Sequence, residues 1–349
     1  MIKTQIHAEI VGHSLSPQGD ELISVLCTFP RIILAEVNTH RMLSKNTSSS
    51  RAIPFHKMVK AIQENPFIPI AWQKDHKGMQ GNEYLTDRKH ENAVYEWLKS
   101  RDYAVKQASM MNNDGVTKQL CNRLLEPFMW TTMLITGSRE GWENFFELRC
   151  GNYDGFKSRK EASKEFFEKG NINTSTWSEL DWLQLNKGQA EIHMMALAEC
   201  IYDAVNESTP KQLQAGEWHI PFGDKISLDN KGTNIHDEAY GMTLRMFLEA
   251  SPSLSKTQGA PVDVKISTAM AAHTSYTIVG GEAVKSYEKW IELHDKLVAY
   301  DPPHSSPMEH CCICVTDEDY NKSFKGEEKG WFRNYKGFKS YRQIIEESK

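Results

Sequence analysis

The chain has 349 residues, a formal net charge of −5 and 40% hydrophobic residues, enough length to bury a sizeable core in one large domain or two ordinary ones. No apolar run approaches the roughly 18 residues of a membrane span, the opening MIKTQIHAEIVGH lacks the basic and apolar regions of a secretory signal, and the acidic balance argues against a polymeric nucleic acid as partner. Seven cysteines without framework spacing read as reduced thiols of a cytoplasmic protein, while a small anionic ligand in a locally basic pocket stays open.

In chain order, residues 2–15 and 21–29 read as strands joined by the turn Pro17-Gln18-Gly19-Asp20. Pro30 suits the first position of a helix, where its missing N–H costs nothing, and that helix is expected to run to about Leu43. The Ser, Thr and Asn residues at 44–50 end it. Residues 52–82, punctuated by Pro and Gly, read as irregular. Helices follow over about 86–112 and 116–126, split by Asn112-Asn113-Asp114-Gly115, and another over about 139–149. Residues 151–187 are rich in Lys, Glu, Ser, Asn and Thr, with one amphipathic piece from Ser158 to Lys169, and read as a surface insertion. From Gln189, Met194, Leu197, Ala198, Ile201 and Val205 recur at helical spacing. Residues 206–264 are mixed. Helices are expected near 265–275 and 283–299, and a strand over His310 to Thr316.

Three of these helices carry an arginine on the apolar stripe. Leu34, Val37 and Arg41 share one stripe, as do Val116, Leu120, Arg123 and Leu124, and Trp142, Phe145, Phe146 and Arg149. A core-facing guanidinium cannot lose its proton and needs an anionic or strongly accepting partner. Either each pairs with a buried carboxylate or snorkels past the stripe, or the three line a pocket for phosphate, whose oxygens suit bidentate forks. After His40 and Arg41 come Ser44, Asn46, Ser48, Ser49, Ser50 and Arg51 within one short stretch. Small hydroxyls and free backbone amides can wrap an anion. The same residues also read as a helix end whose cationic side chains answer the helix dipole.

The string His40-Arg41-x-x-Ser44-x-Asn46-x-x-Ser49-x-Arg51 resembles the signature of the flavin-dependent thymidylate synthases. Four further blocks are similar to that family. They are Asn122 to Trp130, expected as its next helix; Asn144-Phe145-Phe146-Glu147-Leu148-Arg149; Gln189-Ala190-Glu191-Ile192; and His304-Ser305-Ser306-Pro307-Met308-Glu309-His310. The last block precedes the signature in the commonest members and lies near the C-terminal end here, as in a long, reordered, phage-type branch. Thr39 replaces the first arginine of the signature, Thr47 stands where the common pattern has Glu, and Lys187 falls where many members carry a histidine near the flavin. The 151–187 insertion separates Arg149 from Gln189.

The resemblance implies an α+β fold, with mixed helices packed on a largely antiparallel sheet in one domain. In it, a C-terminal segment, 265–349, completes a flavin site. It implies conversion of dUMP to dTMP, with methylenetetrahydrofolate as carbon donor, reduced FAD as hydride donor and NADPH reducing the flavin, in a homotetramer. Arg149 would face the pyrimidine as the catalytic residue. Glu36, Ser49, Ser50, Arg51 and Arg123 would hold the nucleotide. His40, Arg41, Asn46, Asn144, Gln189, His304, Ser306 and Glu309 would line FAD. A hydroxymethylase acting on dUMP or dCMP, and a nucleotide-binding homologue without turnover, are the alternatives. The chain has no Pro-Cys pair to act as a protein nucleophile. His310, Cys312 and Cys314 share one face of the expected strand, a spacing that fits no common zinc finger, so no metal is assigned.

Overall fold

The computed structural model describes residues 5–78, 81–170, 172–226, 260–276, 287–324 and 335–348. Strands β1 (His7–Leu15) and β2 (Glu21–Pro30) form the expected hairpin. Their sheet has the order β3-β4-β2-β1-β5, with β3 at Ser44–Thr47, β4 at Trp130–Ser138 and β5 at Lys211–Gln212. Every pairing is antiparallel except the two-residue contact of β1 with β5. The architecture is α+β.

Alternation on β2 explains what covers the sheet. Its odd residues Ile23, Val25, Cys27 and Phe29 join Met133 and Ile135 of β4 on one face. Helices α5 (Arg139–Arg149) and α8 (Ile192–Glu207) cover that face with Trp142, Phe145, Phe146, Met194, Leu197, Ala198, Ile201 and Val205. The even residues face a second cover. Leu22 packs with Leu213, Cys312, Cys314, Tyr335 and Phe338, and Leu26 and Leu134 pack with Phe222 and Ala271. This cover combines α9 (Val262–His273) with a small sheet of β6 (Trp218–His219), β7 (Cys312–Cys314) and β8 (Phe338–Ser340). Helix α10 (Tyr287–Ala299) packs on α9 through Trp290 and Ile291. A separate cluster joins α2 (Phe55–Glu64), α3 (Asp87–Asn113) and α4 (Lys118–Cys121) through Met58, Ile62, Val105, Ala108 and Cys121.

Several expectations from the sequence need correction. The first helix, α1, spans only Leu34–Asn38, and Ser44–Thr47 is an edge strand instead of a capping turn. Four polar residues carry no apolar alternation to mark them as a strand. Helix α2 lies inside the stretch read as irregular. Residues 122–128 form a 3₁₀ helix containing Pro127, and β4 begins at Trp130, so the second block is a tight turn feeding the central sheet. His310 closes a 3₁₀ turn over Ser306–Glu309, and the strand is confined to Cys312–Cys314. Much of the mixed stretch 206–264, at 227–259, and residues 283–286 of the helix expected at 283–299 lie outside the described residues.

Segment 151–187 holds α6 (Arg159–Gly170) and α7 (Glu179–Leu185), the latter opened by a Ser178–Asp181 capping box. Tyr153, Ala162 and Trp182 form its own small core. Glu199 of α8, buried at 5% exposure, fastens it by accepting from Arg159 Nε at 2.9 Å and from Tyr153 Oη at 3.1 Å. Removing Glu199 leaves the buried Tyr153 hydroxyl without its acceptor and Arg159 with Glu179 as its remaining partner, at 2.8 Å. Glu199→Ala is therefore expected to cost about 2 kcal/mol and to speed proteolytic cleavage within residues 151–187. An unchanged cleavage pattern would show that the pair does not hold this segment.

Candidate functional site

Arg149 is the residue around which the expected site forms. It ends α5, one turn beyond Phe145 and Phe146, whose burial fixes the helix. Its Nε donates to His40 Nε2 at 2.9 Å, Nη2 lies 3.5 Å from Thr39 Oγ1, and Nη1 lies 3.7 Å from Glu36 Oε2. Residues 36–40 thus meet residue 149 through three side chains. The His40 ring packs edge-on against Phe145. Burial, with Arg149 and Lys45 adding to it, holds the His40 imidazolium down to about 4. The neutral ring accepts from Arg149 at Nε2, so Nδ1 carries its proton. Glu36 is held above the usual carboxylate range by burial and by Glu191, against the opposite pull of Arg149.

A second group centres on β3. Asn46 donates from Nδ2 to the Ala271 carbonyl of α9, and its Oδ1 accepts from Ser306 Oγ at 3.3 Å across 260 positions of sequence. Glu309 pairs with Arg342 of α11 (Tyr341–Glu347). Lys45 donates to the carbonyls of His40 and Leu43, the latter at 3.0 Å. Burial holds its ammonium down to about 8, with Glu309 pulling it back up. Lys45 thereby links the Arg149 group to the Glu309 group. His304, Asn144 and Gln189 are exposed; the Gln189 amide donates to the Lys187 carbonyl at 3.1 Å.

The third group is the loop after β3. Ser48 N donates to the Thr132 carbonyl at 2.8 Å, Ser49 N to the Ser275 carbonyl at 2.9 Å, and Arg51 N to Ser49 Oγ at 3.3 Å. These amides are engaged, so the expected cradle of free N–H groups is not formed by them. Asn122, fully buried, donates to the carbonyls of Ser50 and Ile53 at 2.7 and 3.0 Å. It sets the segment carrying Arg123 beside the one carrying Arg51. Arg41, Arg51 and Arg123 are exposed, and none of the three pairs with a carboxylate among the described residues. Of the three stripe arginines, Arg149 alone meets a buried acceptor among the described residues, His40 Nε2. Arg41 lies beyond the end of α1. Arg123 sits where the α-helix tightens to 3₁₀, which re-phases the side chains.

Lys45 and Arg342 were not reached from the sequence, and Glu191 stood only within the block Gln189 to Ile192, without a role. Glu191 accepts from the amides of His193 and Met194 at 2.8 and 3.1 Å, capping α8 and setting its carboxylate near Glu36. An acidic residue just ahead of an apolar helical run is the one signal that marks it. A cleft of about 580 Å³ opens elsewhere, lined by Gly12, His13, Ser14, Lys211, Trp218 and Asp263 among others, and none of the expected site residues borders it. The seven cysteines are free, and among the described residues no group of three or more His, Cys, Asp or Glu side chains could hold a metal ion. Among the same residues no helix is long and apolar enough to cross a membrane.

No family model and no curated protein matches the sequence. Among solved structures, a UMP/dUMP methylase PolB from Streptomyces cacaoi bound with 5-Br dUMP is similar at 11% identity and a TM-score of 0.42, over 59% of this chain and 92% of that one. The same methylase bound with 5-Br UMP gives 12% identity and a TM-score of 0.40, over 59% and 90%.

The Arg149–His40 bond makes one prediction independent of any activity. His40 protonates more readily when unfolded, at about 6.5, than in the fold, at about 4. The unfolded chain therefore binds more protons in that window, and the stability from this pair is present above about pH 6.5 and is lost as pH falls towards 4. In Arg149→Ala, the His40 titration followed by NMR is expected to move upward. An unmoved titration would show that burial alone sets it.

Proposed function

We propose that the chain is a flavin-dependent, thymidylate-synthase-like enzyme. It converts dUMP to dTMP with methylenetetrahydrofolate as carbon donor, FAD as redox cofactor and NADPH as reductant. One observation supports this reading above the others: segments that resemble the family and lie far apart in sequence are close in space. Arg149 touches His40, and Ser306 touches Asn46.

The residues fit both ligands. Arg51 and Arg123, exposed and without carboxylate partners among the described residues, suit a nucleotide phosphate, with Ser49 and Ser50 beside them. Arg41, Lys45, His304 and Asn144 offer cations, a ring and an amide for a flavin dinucleotide. Asn46, its amide already engaged, would act by holding Ser306. Glu309, paired with Arg342, would contribute its remaining acceptor capacity. FAD, when bound and reduced, supplies the hydride, so the protein needs no nucleophile of its own. The cysteines agree: burial pushes the thiols of Cys27, Cys150, Cys200, Cys311, Cys312 and Cys314 upward, away from thiolate chemistry.

Arg149 would face the pyrimidine. Its Nε is tethered to a neutral ring, while among the described residues its two Nη groups have only long contacts, at 3.5 and 3.7 Å. Such a fork is oriented yet available to hold negative charge developing on the base, which is stabilisation by a fixed donor. Exposed Met42, Leu120, Leu124 and Leu148, neighbours in sequence of Arg41, Arg123 and Arg149, suit burial between subunits of a homotetramer. Hydroxymethylation of dUMP or dCMP is the second reading, favoured by Thr47 and Lys187 in place of the common residues; a binding protein without turnover is the third.

Purified protein is expected to be yellow, or to become so with FAD, and to release tritium from 5-tritiated dUMP when folate and NADPH are supplied. Protein that cannot take up FAD rejects the proposal, and a hydroxymethyl product by mass selects the second reading. Arg149→Ala is expected to lower turnover by about a hundredfold while FAD stays bound. Turnover within a few-fold of the parent removes Arg149 from the role given to it.

A further inference from the structure

The sheet face turned towards the second cover carries a straight row of small residues. Ser44 of β3 lies opposite Thr136 of β4, Thr136 opposite Ser24 of β2, and Ser24 opposite Gly12 of β1. Hydroxyls on a buried face are costly unless hydrogen-bonded. Two imidazoles from the cover meet this need at Thr136 and Ser24. His310 Nδ1 lies 2.8 Å from Thr136 Oγ1, which lies 2.6 Å from Ser24 Oγ. Ser24 Oγ lies 2.8 Å from His219 Nε2, and His219 Nδ1 lies 2.8 Å from Ser14 Oγ. All five side chains are buried.

Gly12 makes room for the far ring. A Cβ there would lie 3.0 Å from His219 Cε1 and 3.2 Å from its Nε2. Burial holds both rings down to about 3, so both are neutral, each with one donor and one acceptor nitrogen. His219 engages both of its nitrogens. His310 engages only Nδ1; its Nε2 is buried without a partner among the described residues. The bond to Thr136 is thus the one polar tether of that ring. The chain bonds just before His310 are those of the Ser306–Glu309 turn.

We propose that this row is a latch setting the position of the 304–310 turn, with His219 and Gly12 as positioning residues that act on Ser306 and Glu309 through His310. With His219 on one side and Thr136 on the other, the Ser24 hydroxyl has two buried partners and is held in place. Thr136 then presents one defined partner to His310. Without the ring, Ser24 loses a partner, Thr136 gains alternative hydrogen bonds, and the turn keeps the Ser306–Asn46 bond, the Glu309–Arg342 pair, the bond from His304 N to the Leu297 carbonyl and the packing of Met308. The latch stands on geometry alone; its consequence for flavin binding rests on the function proposed above.

Amide hydrogen exchange of the full chain tests it together with FAD affinity. Gly12→Ala and His219→Ala are each expected to speed exchange in residues 304–314 by about tenfold and to weaken FAD binding by about fivefold or more, with α8 amides unchanged. His219→Gln, which restores a donor and an acceptor, recovers most of both. Gly12→Ala adds little on top of His219→Ala, because its clash is with the ring. Should the His219 variants fold poorly, Ser14→Ala removes only the outermost bond and is expected to speed the same amides by about twofold. Parent-like exchange at 304–314 in these variants, or a rise spread equally over α5 and α8, overturns the latch. Exchange that responds as expected in a protein whose parent form binds neither FAD nor dUMP keeps the latch and rejects the flavin reading.

Discussion

Strand β2 carries apolar side chains on both faces, and the rest of the fold follows from that. A central strand of this kind leaves its sheet with no face for water, so two separate covers are required. Helices α5 and α8 supply the first, and both are read from helical periodicity. The second is assembled from α9, the β6-β7-β8 sheet and the turn before β7, all distant in sequence from β2. The candidate site lies where the two covers meet the β3 edge. Arg149 comes from the first cover and Ser306 and Glu309 from the second, with His40, Lys45 and Asn46 between them.

Charge in this region is arranged by desolvation more than by pairing. His40 is neutral beside Arg149, so the guanidinium is oriented without being neutralised. Glu36, the nearest carboxylate, stands at 3.7 Å and is itself held towards its neutral form by burial and Glu191. A tightly paired Arg149 would have its charge already satisfied. This one keeps a directed positive field, the arrangement a preorganised electrostatic site needs.

How much of this could be read from sequence depended on the local signals of each segment, its periodicity and the turn residues at its ends. Strands β1 and β2 were legible from the turn between them, and α5 and α8 from helical spacing. Strand β4, Trp130 to Ser138, is buried on both faces along nearly its whole length. It therefore shows neither alternation nor helical spacing, and it escaped notice. Helix α2 was hidden by the prolines bracketing it, Pro54 and Pro66. Of the three stripe arginines, only Arg149 was correctly phased, because only α5 keeps α-helical pitch up to its arginine. The blocks around His40 and Ser306 pointed to a shared site. The roles of Lys45, Glu191 and Arg342 could not be read, because they arise from contacts between elements that the sequence does not order in space.

The contact between Asn46 and Ser306 has a consequence for how the protein is made. It closes a span of 260 residues, and contacts of such separation form late, because chain entropy must be lost before they contribute. During synthesis the hairpin, β4 and the α5–α8 cover emerge first and can pack. The opposite face of β2 then waits for its cover to leave the ribosome, Leu26 for Phe222 and Ala271, and Leu22 for Cys312, Cys314, Tyr335 and Phe338. A nascent chain paused in that interval is half a sandwich with an apolar sheet face open to solvent, the state in which a folding chain is most exposed to aggregation and to chaperones.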